Sequence, residues 1–145
     1  MLRDVGAAVA GLALFFVVRW LGLSLAWKAW GVGFAFEPGT TTVSTPWILL
    51  SLGLALAGAF LGGWVAGSMR GGRAVQLLAG ALLLLGVVGV VAGARREHLD
   101  APEDLGTLTS GEVLVVARAP GWMAVLEPLL ATAGALVGGT GRRRR

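Results

Sequence analysis

Residues 47–94 read WILLSLGLALAGAFLGGWVAGSMRGGRAVQLLAGALLLLGVVGVVAGA. Two apolar runs, 47–68 and 74–94, are separated only by Met69-Arg70-Gly71-Gly72-Arg73. Each run has about the 20 residues that cross the hydrocarbon of a bilayer as a helix. Two such helices joined by a turn with two cations form a membrane hairpin.

Working outward, residues 5–27 form a first crossing, interrupted only by Arg19. A cleaved secretory signal ending near Ser24 and Ala26 is the competing reading, but Arg19 fits such an apolar core poorly. Residues 121–139 form a fourth crossing, with Glu127-Pro128 near its start. The expected fold is all-α: one integral membrane domain over residues 1–145, a membrane-embedded four-helix bundle running up-down-up-down. The 47–94 hairpin is its centre, and the first and fourth helices pack on it.

Composition agrees with that class. Of the 145 residues, 56% are hydrophobic and 14% charged, against about 25% charged in a soluble domain. With no cysteine, no tyrosine and one histidine, the chain has few side chains for catalysis. The expectation is not an enzyme, with no cofactor and no metal. His98 sits in a polar loop beside Glu97 and Asp100 without the spacing of a metal site. The net charge of +4 calls for no nucleic-acid partner, because topology explains it.

Four crossings put both termini and the 69–73 turn on one side. Arg3, Arg70, Arg73 and the arginines at 142–145 lie there; Lys28, Arg95, Arg96 and Arg118 lie opposite. The excess of Lys and Arg favours both termini in the cytoplasm, in a cell membrane such as a bacterial inner membrane. Trp20, Trp27, Trp30, Trp47 and Trp122 fall near the outer interface and Trp64 near the inner one. At that level a half-apolar, half-wet ring is at home.

The outer loops are expected to be mostly irregular. Short extended pieces are expected at 33–36 and 40–44 around a Glu37-Pro38-Gly39 turn, and residues 112–118 (EVLVVAR) read as a strand or a short amphipathic segment. Pairing of these pieces would add a small β-cap to the bundle.

Three features bear on function. Small residues recur four apart at Gly58 and Gly62, Gly63 and Gly67, Gly89 and Gly93, and Gly134 and Gly138. Such spacing lets helix backbones approach closely in lipid. Pro128 removes a helical hydrogen bond and is expected to kink its helix. Arg19 and Glu127 are the two ionisable residues inside spans, and intramembrane charges are functional candidates by default. Counting about 1.5 Å per residue from Trp27 and Gly121 puts them about 12 Å and about 9 Å below their helix ends, nearly one depth. An ion pair, two side chains snorkelling separately, and a polar site that Ser24, Ser51 and Thr132 help to line all remain open.

The runs at 57–66 and 134–139, with Pro120-Gly121-Trp122 and the basic tail, give the chain a resemblance to a type of small, uncharacterised bacterial four-helix membrane protein. The resemblance implies four crossings and brings no catalytic or binding residue. Two functional readings follow. One is a non-enzymatic scaffold or accessory subunit that meets other membrane proteins, or itself, through small-residue faces. The other is a small transporter or channel-like oligomer using Glu127 and Arg19. The lipid bilayer is a partner in both.

Overall fold

The structure, a computed structural model, describes residues 1–94 and 105–140. His98, Glu97, Asp100, Glu103, Asp104, the Arg95-Arg96 pair and the tail 142–145 lie outside the described residues. The helices are α1 (Leu2–Trp30), α2 (Val32–Ala35), α3 (Thr45–Arg70), α4 (Gly72–Ala94), α5 (Ser110–Val116) and α6 (Gly121–Thr140), with a 3-10 turn at Leu105–Thr107. Four of them, α1, α3, α4 and α6, are long and apolar enough to cross a membrane. The chain is a multi-pass, all-α membrane protein.

Local chemistry sets the helix ends. Gly31 and Gly71 take positive φ (65° and 73°), a region that glycine enters without steric cost, and their N–H groups donate to the Trp27 and Gly67 carbonyls. Gly71 alone separates α3 from α4, so the 69–73 segment is mostly helix rather than loop. Ser44 caps α3 by accepting from the Trp47 N–H at 3.3 Å, and Pro46 sits in the first turn, where its missing N–H costs nothing.

Facing residues give the direction of each helix. Gly11 and Phe15 of α1 meet Gly62 and Gly58 of α3, so these two run antiparallel. Gly63 and Gly67 meet Ala135 and Gly139, so α3 and α6 run parallel. Gly86 and Val75 of α4 meet Pro128 and Gly139 of α6, again antiparallel. The topology is up-down-up-down, with the first and last residues of the bundle at the end that holds Gly71. The opposite end, where the longer connections lie, is called the cap side below.

The 47–94 hairpin is not the tightest unit. Helix α3 packs most extensively on α1 and α6 and less on α4, its hairpin partner. The reason is where the small residues fall. Glycines line two sides of α3, whereas Gly80 and Gly89 of α4 face open space.

Two apolar clusters result. Around Leu78, Ala55, Ala59, Ala66, Val75 and Ala135 the bundle core is closed. A second cluster on the cap side joins Trp27, Phe36, Trp47, Ile48, Val113 and Met123. Outside, Leu49, Leu84, Val87, Val88, Val91 and Val137 are exposed, the composition of a surface that meets lipid.

The connections differ from the extended expectation. Residues 32–35 form the one-turn helix α2 instead of a strand, because Gly31 turns the chain and its carbonyl accepts from Phe34 and Ala35. Residues 112–116 belong to α5, not to a strand. Thr109 and Glu112 make a reciprocal capping box, and that box starts a helix despite the β-branched run that follows. Extended structure among the described residues is limited to single bridges, Phe36 with Val43 and Thr42 with Arg118. The two loops do meet there, since Arg118 N–H donates to the Thr41 carbonyl at 2.9 Å. The cap is therefore helical, stitched at single residues, rather than a β-cap.

Candidate functional site

The expected small-residue pairs divide sharply by what they face. A Cβ on Gly58 would stand 3.1 Å from the Phe15 carbonyl oxygen, one on Gly67 2.9 Å from that of Gly139, and one on Gly134 2.8 Å from that of Leu56. At Gly62, Gly63 and Gly138 the added carbon would collide with the backbones of Gly11, Ala135 and Phe60. These six glycines are spent inside the bundle and are not available to another protein. Gly89 faces open space, and the surroundings of Gly93 lie outside what the structure describes. Sequence reasoning missed Gly11, Gly86 and Gly139, which also sit in close crossings. For Gly11 a signal was present, since Ala7 lies four residues before it.

Of the six tryptophans expected at interfaces, Trp20, Trp30, Trp64 and Trp122 are exposed. Trp27 and Trp47 are buried in the cap-side cluster instead. The Trp27 indole N–H donates to the Leu108 carbonyl at 3.1 Å, and Trp27 packs edge-on to Phe36 at 6.2 Å. An indole can serve a core in this way only because an acceptor reaches it.

The two intramembrane charges meet. The Arg19 guanidinium on α1 pairs with the Glu127 carboxylate on α6, and each side chain keeps 23% of its surface exposed. Helices α1 and α6 share no extended backbone contact, so the pair spans a diagonal of the bundle that the backbones leave open. Left unpaired, a charge at such depth costs roughly 2.5–3.5 kcal/mol on insertion scales. Pairing offsets part of that cost and ties the first helix to the last.

Beside the pair lies a cavity of about 580 Å³ between α1, α4 and α6. Its polar lining side chains are Arg19 and Glu127, and the other walls come from apolar residues such as Phe16, Leu85 and Val90. Phe16 and Leu85 are about half exposed, so the cavity opens sideways toward lipid. On α4 the lining runs from Leu82 to Val90 and on α6 from Ala124 to Ala131. At about 1.5 Å per residue this is about 12 Å of helix axis, well short of a bilayer of about 30 Å.

Pro128 seats its ring against Gly86, and its missing N–H leaves the Ala124 carbonyl without a helical donor. Thr132 donates to the Pro128 carbonyl at 2.8 Å rather than lining the cavity, and neither Ser24 nor Ser51 lines it. Among the described residues, no group of three or more His, Cys, Asp or Glu is placed to hold a metal ion. Compared with family models, curated proteins and solved structures, the chain matches none.

Proposed function

We propose that this chain is a non-enzymatic accessory or scaffold protein of a cell membrane, with both termini cytoplasmic. The carrying observation is the closed half of the bundle below the Arg19–Glu127 pair. There Gly11 and Gly62 meet backbone to backbone, and Leu78, Ala66 and Ala74 are fully buried. Among the described residues, one chain thus offers no continuous polar path between its two ends. The orientation rests on the excess of Lys and Arg at the Gly71 end. Since six of its paired glycines are used internally, contacts with other membrane proteins fall to the open Gly89 and the exposed aliphatic faces of the outer helices.

One observation favours the alternative, a small transporter or channel-like oligomer using Glu127 and Arg19. The pair is half-buried and borders a cavity, as an ion or proton site does. Proton and monovalent-ion flux into liposomes bearing the purified protein separates the two. Flux equal to that of empty liposomes, for wild type and Glu127→Gln alike, supports the accessory reading. Flux that Glu127→Gln abolishes overturns it in favour of transport.

A further inference from the structure

From the order of groups along the cavity between α1, α4 and α6, we infer that it is a binding site for one bilayer glycerophospholipid. This goes beyond the functional reading and does not depend on it. Gly86 stands level with Pro128, which aligns α4 with α6 and orders the lining. Toward the cap side come Val90, Gly89 and Ala124. The Arg19–Glu127 pair follows near the middle, and Phe16, Leu85 and Leu82 lie deeper. Ala124 is three residues from the start of α6, so the cavity begins about 4.5 Å below that helix end. The ion pair thus forms one polar band, with Glu127 about 9 Å below the start of α6, and hydrocarbon walls lie deeper in the cavity.

The polar groups have capacity to spare. A guanidinium carries five N–H donors, and the bond to Glu127 is made through Nη1. The ester carbonyls of a glycerolipid accept hydrogen bonds, and the remaining Arg19 donors suit them. The paired carboxylate leaves the site without net charge, as suits the uncharged ester region. The lower walls suit an acyl chain, because an apolar cavity offers water too few partners to hold it. Gly89 lines the cavity in open space, where an added Cβ would meet nothing within 4 Å.

The test uses the full chain in liposomes of phosphatidylethanolamine carrying a photoactivatable diazirine midway along one acyl chain. Adducts are mapped by mass spectrometry. Labelling concentrated on the lining positions Leu85, Gly86, Gly89, Val90, Ala124 and Pro128 is expected. Gly89→Leu places its Cβ in open space and replaces a helical glycine, so its melting temperature should be at or above that of wild type. It should also lower groove labelling by about tenfold, which corresponds to about 1.4 kcal/mol of affinity. Ala124→Leu, at an exposed wall position, provides a second filling variant with the same expected result. Labelling spread evenly over Leu84, Val137 and the other outward faces overturns the inference. So does groove labelling that both folded variants retain.

Discussion

Replacing Gly63 by alanine adds one methyl group at the α3–α6 crossing. The new Cβ falls 2.7 Å from the Ala135 carbonyl carbon and 2.8 Å from its Cα, where ordinary contact is 3.4–4 Å. Backbone atoms, not a flexible side chain, stand in the way. The helices must part by about 0.7 Å or more, and a gap of about 0.5–1 Å already forfeits about a quarter to a half of each dispersion contact along the seam. Overpacking of this kind costs about 1–3 kcal/mol. Alanine returns about 0.8–1.0 kcal/mol in helix propensity. With only backbone to displace, the strain belongs at the upper end of its range, so Gly63→Ala should destabilise by about 1–2 kcal/mol. Gly53 lies on the same helix and its Cβ would meet nothing within 4 Å. There the propensity gain stands alone, and Gly53→Ala should stabilise by about 0.8–1.0 kcal/mol. Both are read from unfolding of purified protein in mixed micelles. Because the expected signs are opposite, the comparison is insensitive to the choice of micelle. If Gly63→Ala is as stable as wild type, or if the two variants shift together, close backbone packing does not hold α3 to α6.

Arg19→Ala, Glu127→Ala and the double variant form a thermodynamic cycle for the ion pair. A coupling of about 0.5 kcal/mol or more is expected for groups in contact, and additive losses would show that the two charges do not meet. In the cap, hydrogen bonds from the Thr109 backbone and side chain hold the Glu112 carboxyl below its ordinary pKa. Glu112 thus stabilises α5 at neutral pH, fully so above its unfolded-state pKa, and that contribution is lost as pH falls through its lowered folded value. Protection factors of the α5 amides, taken relative to intrinsic exchange, should therefore fall in acid, and Glu112→Gln should flatten the dependence; an unchanged profile in the variant would refute the capping role.

Much of the candidate site was legible in the chain. Counting residues inward from Trp27 and Gly121 placed Arg19 and Glu127 at one depth, because helix rise is constant and antiparallel spans share their ends. The cavity beside them was not legible, since it depends on how far α1 stands from α4 and α6. The capping box at Thr109 and Glu112 was present in the sequence, yet the β-branched residues after it suggested extended structure. In the fold the box prevailed, with Val113 buried against the cap-side cluster.

By itself the sequence determined that the chain carries four runs long and apolar enough to cross a membrane as helices. Lipid leaves no other partner for backbone N–H and C=O groups, so an apolar run of sufficient length is obliged to be a helix. Gly31, Gly71 and the Ser44–Pro46 start act through their own backbones, which is also local. Tertiary structure alone decided which side of each helix faces inward. A span that is apolar all round carries no stripe to mark its buried face, so shape takes over. Gly63 packs and Gly89 does not, Trp27 is buried and Trp30 is exposed, because of what the neighbouring helix presents at that level.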